Sequence, residues 1–304
     1  MVEDGRFDEA IALAIQFEQR FPEVTYLYWS HGLALLGAGQ VEAAIDMFAH
    51  LIQADEDIYQ SWGRLLTAKA YILSGRFDEA AAQLTRNLTH DNRSRSWDTY
   101  FYAKLWLARL YTLEQEPETA ASYLTDLAVV SPDLTHLRSL RRLGILYAET
   151  GDAEAADRVA DQLEGICRDT PSMHSRRAFH HVRGAAAVVR GTDPSSEAEL
   201  RRAWENLPDP LTYYTRAGFY LKTGDTARAL LDTDEILSDK GPVLISHFPG
   251  IWVQAWYMRG KALEARHRED EAAAAYDRFL SYWGAADLTS VHDARDRLAA
   301  LRHK

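Results

Sequence analysis

Two groups of residues in this 304-residue sequence have the side-chain types of a metal site. His180 and His181 carry imidazole ligands, but adjacent side chains on a helix diverge by about 100 degrees and no partner lies four positions away. Asp232, Asp234 and Glu235 resemble part of a calcium loop, although the sixth-position glycine and the terminal glutamate are missing. We therefore predict no metal site and no cofactor.

Enzymatic motifs are missing from the sequence as well. It contains no kinase catalytic loop, no glycine-rich phosphate loop, no nucleophile elbow and no His-Glu-x-x-His segment. Each of these motifs places reactive groups at a spacing that its chemistry requires. The sequence therefore predicts a protein that is not an enzyme.

The elements that position any binding residues are set by an internal repeat. The hexapeptide Gly-Arg-Phe-Asp-Glu-Ala begins at Gly5 and again, unchanged, at Gly75, a separation of 70 residues or two periods of about 35. Looser copies begin at Gly39, Gln115, Gly151, Gly224 and His267, with a degenerate turn at Gly191. Between the copies, apolar and small residues recur at helical spacing, so each period reads as two helices joined by a turn.

The segment from Tyr28 to Glu56 shows the pattern most fully. Gly32 and Ala44 are small, Leu35 and Phe48 are large, and Gly39 marks the turn. This pattern resembles the tetratricopeptide repeat family, which places large and small residues at fixed positions in a 34-residue unit. The resemblance implies an all-α fold, an α-solenoid with about seven to eight helix-turn-helix hairpins in a right-handed superhelix, closed by a C-terminal cap helix.

We expect one solenoid domain over residues 1–304. The repeat boundaries predicted from the register are 1–22 for a partial first repeat, then 23–57, 58–95, 98–133, 137–170, 174–208, 210–239 and 250–284, with the cap helix at 286–303. The segment from Tyr276 to Leu301 also resembles the end of the repeat regions that follow catalytic or DNA-binding domains in bacterial signalling proteins. That resemblance implies that the chain is the C-terminal region of a longer protein.

In the tetratricopeptide family the first helix of each hairpin lines the concave face, which identifies the residues that would touch a ligand. The resemblance implies a groove that is both aromatic and basic. It consists of Tyr26, Trp29, Trp62, Lys69, Tyr102, Trp106, Arg109, Arg138, Arg141, Arg142, Arg177, His181, Tyr214, Tyr257 and Lys261. Guanidinium groups pair with carboxylates and rings supply contact area, so the groove favours an acidic peptide or a C-terminal carboxylate. The alternative is that the rings pack between neighbouring repeats and that the arginines pair with the protein's own Asp and Glu residues.

Composition limits the other classes of partner. The formal net charge is −11, which disfavours binding to nucleic acid and to anionic membrane surfaces. A single cysteine excludes an internal disulfide framework, and no apolar run is long enough to insert in a membrane. We expect a cytoplasmic protein.

Three functions remain open at this point. The first is a noncatalytic scaffold that binds a protein or peptide in the groove. The second is a regulatory or sensor region that controls an attached kinase, cyclase or DNA-binding domain. The third is an assembly subunit that forms oligomers through its N-terminal end or through an exposed apolar loop at Val243, Leu244, Ile245 and Phe248.

Overall fold

A computed structural model of the chain describes residues 1–90, 97–128, 134–191, 194–246 and 248–303. All regular structure in these ranges is helical, so the all-α prediction is confirmed. The α-helices are α1 (Phe7–Arg20), α2 (Tyr26–Gly37), α3 (Val41–Ile52), α4 (Asp57–Leu73), α5 (Phe77–His90), α6 (Trp97–Leu113), α7 (Pro117–Leu124), α8 (Leu134–Glu149), α9 (Ala153–Asp169), α10 (Met173–Arg190), α11 (Pro194–Asn206), α12 (Pro210–Thr223), α13 (Thr226–Ser238), α14 (Gly241–Ser246), α15 (Gly250–Glu264), α16 (Glu269–Trp283) and α17 (Thr289–Arg302). A single 3-10 turn, Thr125–Ala128, follows α7.

The turns between paired helices lie where the repeat register predicts them. A left-handed backbone conformation, with φ between 57° and 87°, occurs at the first residue of seven turn segments: Gly5, Gly39, Gly75, Gln115, Gly151, Gly224 and His267. In the first complete hairpin the Gly39 amide donates to Leu36 O and the Gln40 amide to Leu35 O, which closes the end of α2. Glycine suits this conformation because it has no Cβ to clash with the neighbouring carbonyl. The predicted hairpin register is therefore confirmed at these seven turns.

Small residues let the helices of a hairpin approach closely. A Cβ added to Gly32 on α2 would overlap the ring of Phe48, which is fully buried on α3. A Cβ added to Gly144 on α8 would similarly overlap Val182 on α10, so small residues also serve the packing between consecutive repeats. Gly32 thus packs against a large residue of the facing helix.

Where the sequence predicts one domain, the structure groups the residues into two compact units. Unit 1 comprises Met1–Ala103, Ile236–Tyr257 and Ala273–Lys304, and unit 2 comprises Lys104–Glu235 and Met258–Ala272. The ends of the predicted repeat ranges 58–95 and 98–133 lie outside the described residues, and the short helix α14 lies between two predicted ranges. None of the described helices is long and apolar enough to cross a membrane.

Unit 1 contains contacts between its N-terminal and C-terminal segments that a repeat pattern does not predict. The indole Nε1 of Trp283 donates to Ile72 O at 2.9 Å, and the Trp283 ring lies 5.0 Å from the Phe77 ring. Lys69 donates to Leu244 O, across 175 residues of sequence. These bonds join the end of the repeat array to its beginning inside one hydrophobic core.

The apolar loop predicted to be an exposed assembly surface is part of this core. Val243 and Leu244 are fully buried on α14, which packs against α2, and Phe248 is 4% exposed. Only Ile245 among the four residues is exposed. The prediction of an exposed apolar loop is therefore wrong, because the N-terminal hairpins of the same chain cover it.

Candidate functional site

Four predicted aromatic residues form a continuous row in unit 1. Tyr26 and Trp29 lie on α2, Trp62 on α4 and Tyr102 on α6. The ring centroids are 5.9 Å apart from Tyr26 to Trp29, 4.7 Å from Trp29 to Trp62 and 6.3 Å from Trp62 to Tyr102. Tyr26 is 56% exposed, and the other three side chains are half-buried. We call these four residues the aromatic row.

The repeat itself places these rings side by side. Each of the three helices is the first helix of its hairpin, so the same face of the repeat recurs from α2 to α4 to α6. Close packing behind the row holds α4 in place. Gly63, next to Trp62, lies so close to Ile52 that a Cβ added at Gly63 would overlap the Ile52 backbone. Aromatic rings at these separations bury a large area per side chain, and tyrosine adds a polar group at the rim.

Two further residues predicted to line the groove in unit 1 have structural partners instead. Lys69 is 4% exposed and donates to Leu244 O. Tyr257 donates its hydroxyl hydrogen to Asp293 Oδ2 at 2.7 Å, and its ring lies 5.3 Å from Phe279. Both side chains join the C-terminal helices to the rest of the unit. Lys69 is therefore not an open groove contact, whereas Tyr257 is half-buried and its contact with a ligand stays a prediction.

The arginines of unit 2 are organised around one carboxylate. Arg141 forms two hydrogen bonds with Asp209, from Nη1 to Oδ2 at 2.6 Å and from Nη2 to Oδ1 at 2.7 Å. Its Nη2 also donates to Thr212 Oγ1, and its Nε donates to Nδ1 of the fully buried His181 at 2.9 Å. Since a guanidinium only donates, the Nδ1 atom of His181 must be the acceptor.

Arg177 shares the same carboxylate. Its Nη1 lies 3.1 Å from Asp209 Oδ2 and donates to Leu207 O at 3.3 Å. Burial, together with the positive charge of Arg141, lowers the pKa of Arg177 to about 10, and Asp209 opposes this shift. Asp209 also begins α12, because its Oδ1 accepts the Thr212 amide.

The internal-pairing alternative therefore holds for part of the arginine group. Arg141, Arg177 and His181 are buried and bonded to one another or to Asp209. Arg141 and Arg177 also line a pocket, and their contact with a ligand stays a prediction. Arg142 is half-buried. Arg138 is exposed, and within the described residues it has no ion-pair partner.

Arg109 forms a second buried ion pair in unit 2. Its Nη2 lies 2.5 Å from Glu149 Oε1, and its guanidinium lies 5.4 Å from the ring centroid of Tyr214. Burial raises the pKa of the Tyr214 hydroxyl to about 12, with Glu149 adding to the shift. Trp106 and Arg109 are both 8% exposed, so neither is an open groove contact, while Lys261 on α15 is half-buried.

A pocket beside Arg177 contains residues that the sequence pattern did not indicate. It has a volume of about 280 Å³ and is lined by side chains from α8, from the start of α10 and from the segment between α9 and α10. Among the lining residues, Thr170, Ser172 and His174 belong to that segment and to the first turn of α10. Polar residues before a helix ordinarily indicate a helix cap, and Ser172 is the N-cap residue of α10. The sequence therefore gave no sign that these three residues line a pocket.

The described helices define the class of protein. It is an all-α protein built of repeated helical hairpins whose turns lie at the positions of the sequence repeat. No protein-family model and no curated protein sequence matches the chain.

Several solved structures are similar in fold at low sequence identity. A tetratricopeptide repeat protein from Parabacteroides merdae is 18% identical, with 91% of this chain and 98% of that chain covered and a TM-score of 0.48. A signal-transduction ATPase with a tetratricopeptide repeat sensor from Pyrococcus horikoshii is 14% identical, with 91% of this chain and 43% of that chain covered and a TM-score of 0.48. The C-terminal part of a repeat protein from Cytophaga hutchinsonii is 11% identical, with 97% of this chain and 95% of that chain covered and a TM-score of 0.41.

Proposed function

We propose that this protein is a noncatalytic interaction scaffold that binds an extended peptide segment of a partner protein on the aromatic row. The observation that carries the proposal is the continuity of four rings across three successive helices of unit 1. Partly exposed tryptophan and tyrosine side chains are the residues that most often dominate binding energy at protein interfaces. Because the row is held by packed helices, binding requires little ordering of the scaffold.

In unit 2, an acidic segment or a C-terminal carboxylate of a partner is proposed to bind at Arg138, as a contact separate from the aromatic row. Arg138 supports this proposal because it is exposed and its charge acts on Arg177. The two buried arginines of this group, Arg141 and Arg177, share the single carboxylate of Asp209. An exposed guanidinium binds a carboxylate through paired, charge-assisted hydrogen bonds. The buried arginines add to the positive potential but do not need to touch the partner.

Selection from a library of random peptides displayed on phage tests the aromatic row and does not require the partner to be identified first. Enriched peptides are then titrated by fluorescence anisotropy against the wild type and against Trp29→Ala and Trp62→Ala. Each substitution is expected to weaken binding by about 2 kcal/mol or more, as truncation of a central interface ring does. Phe17→Ala is the matched control, because Phe17 is an exposed ring of unit 1 outside the row.

The outcome separates the aromatic row from other surfaces of unit 1. Loss of binding in the two tryptophan variants with retention in Phe17→Ala supports the proposal. Unchanged binding in both tryptophan variants contradicts it. The Arg138 contact is tested separately with Arg138→Ala, which should weaken the binding of acidic peptides and leave the other peptides unchanged.

Self-assembly is a second candidate function, and α1 is the observation that favours it. Leu13 and Phe17 on this helix are four positions apart, so they share one face, and they are 37% and 42% exposed. Such faces often mark interfaces. Light scattering of the wild type and of Leu13→Glu measures the mass: an oligomer that the substitution dissociates supports this candidate, and a monomer in both rules it out.

A further inference from the structure

We propose that the pocket beside Arg177 is a binding site for a single oxyanion group, either a carboxylate or a phosphate. The pocket lies entirely within unit 2, between the first half of α8 and the start of α10. Its volume of about 280 Å³ is at the small end for ligand pockets, which suits one anionic group with a few attached atoms. Its main lining residues are Leu137, Arg138, Arg141, Thr170, His174 and Arg177.

The charge around the pocket favours an anion. Three arginines line it, and Asp209, which is paired with two of them, supplies one negative charge. The positive charges of Arg138 and Arg142 also act on Arg177 and help to lower its pKa. An oxyanion in the pocket would offset this excess of positive charge in a place where water screens it poorly.

Arg177 has an unused donor at this position. Only 7% of the residue is exposed, and its Nε atom has no hydrogen-bond acceptor in the described part of the chain. A buried donor without an acceptor is costly, and a bound oxyanion is the kind of acceptor that a guanidinium binds best. Arg177 thus points to a ligand independently of the net charge.

The N-terminus of α10 also attracts an anion to the pocket. Thr170 and His174 line the pocket on either side of Ser172, the N-cap residue of this 18-residue helix. The positive end of the helix dipole lies here, and it favours a negative group. The site deepens the proposed Arg138 contact, on which its carboxylate form rests, and it needs no peptide on the aromatic row.

Arg138→Glu is the most informative variant. Arg138 is exposed and lacks an ion pair among the described residues, so the fold does not depend on it, yet its charge lines the pocket. Arg176→Glu is the matched control, because Arg176 is an exposed arginine beside Arg177 that does not line the pocket. Thr170→Phe is a third variant, which fills the pocket without changing its charge.

The experiment is an NMR titration of the full chain with sodium phosphate or sodium acetate at constant ionic strength, following the side-chain Nε–H signal of Arg177. We expect a saturable shift in the wild type and in Arg176→Glu. In Arg138→Glu the affinity should fall by at least about tenfold, as expected for loss of a charged contact and its replacement by a like charge. Thr170→Phe should abolish the shift.

The two probes distinguish the source of the oxyanion. Saturation by phosphate alone identifies a phosphate site, and saturation by acetate alone identifies a carboxylate site. Absence of saturation by both anions in the wild type overturns the proposal, whatever the result for peptides. Equal losses in Arg138→Glu and Arg176→Glu also overturn it, because they would show a general charge effect and no defined pocket.

Discussion

Replacing Asp209 by asparagine tests the electrostatic organisation of unit 2. Asp209 accepts hydrogen bonds from Arg141 at 2.6 and 2.7 Å and lies 3.1 Å from Arg177. The asparagine keeps a side-chain oxygen that can cap α12, so the loss of the cap itself should be small. What changes is the charge, because two buried guanidinium groups lose the carboxylate that is paired with them.

The size of the effect follows from the burial of the three side chains. The side chains of Arg141, Arg177 and Asp209 are 5%, 9% and 15% exposed. Removing one partner of such a buried ion pair costs about 3 to 5 kcal/mol, because the remaining charge stays uncompensated. At about tenfold per 1.4 kcal/mol, amide hydrogen exchange in α8, α10 and α12 should accelerate by roughly 100-fold or more.

Asp277→Asn is the matched control for this measurement. Asp277 pairs with Arg302 at 2.6 Å, but both side chains are at least half exposed, so its loss should cost about 0 to 1 kcal/mol. If Asp209→Asn changed the exchange rates no more than Asp277→Asn does, the central role given to Asp209 would be wrong. Added phosphate should also protect Asp209→Asn more than the wild type, since the anion would replace the missing charge.

Three further predictions concern packing, turns and pH. Gly32→Ala should destabilise the protein by about 1 to 3 kcal/mol, because the added Cβ would overlap Phe48. Gly165→Ala, which has open space around its Cβ, should stabilise the protein by about 0.5 to 1 kcal/mol. Urea denaturation measures both changes, and effects of equal sign would contradict the packing argument. Gly151→Ala should destabilise its turn by about 1 to 2 kcal/mol, because the backbone there is left-handed with φ of 87°. His267→Gly should raise the melting temperature, because glycine adopts the left-handed φ of 57° at this position without strain. A lower melting temperature in His267→Gly would count against the turn argument. Burial raises the pKa of Asp232 from 3.8 to about 7, so the folded protein binds more protons than the unfolded chain between these pH values. The free energy of unfolding should therefore fall by at most about 4 kcal/mol as the pH rises from 4 to 7. Asp232→Asn should flatten this pH dependence, and an unchanged slope would refute the assignment.

The local features of the fold could be predicted because they depend on short stretches of sequence. The seven turns follow from a repeated segment, and their positions were located even where glycine is replaced, at Gln115 and His267. Gly32 and Phe48 both belong to the small and large positions of the repeat pattern, although that pattern did not specify that they contact each other. The aromatic row follows from the same register, since rings at equivalent positions of successive repeats must lie side by side.

The features that were missed depend on residues far apart in sequence. Arg141 and Asp209 are 68 positions apart, and Asp209 lies before a proline in a segment that reads as an ordinary helix start. Lys69 and Leu244 are 175 positions apart. A repeat pattern describes contacts between neighbouring units only. It therefore identified neither the carboxylates that pair with the buried arginines nor the burial of Val243, Leu244 and Phe248.

Photo-crosslinking locates a bound peptide most directly. A peptide enriched in the phage selection is synthesised with a benzophenone side chain at its centre and irradiated in complex with the 304-residue chain. Mass spectrometry then identifies the crosslinked residues. The proposed scaffold function predicts crosslinks on α2, α4 and α6, at or beside Tyr26, Trp29, Trp62 and Tyr102. Crosslinks confined to α1 or α17 would contradict it.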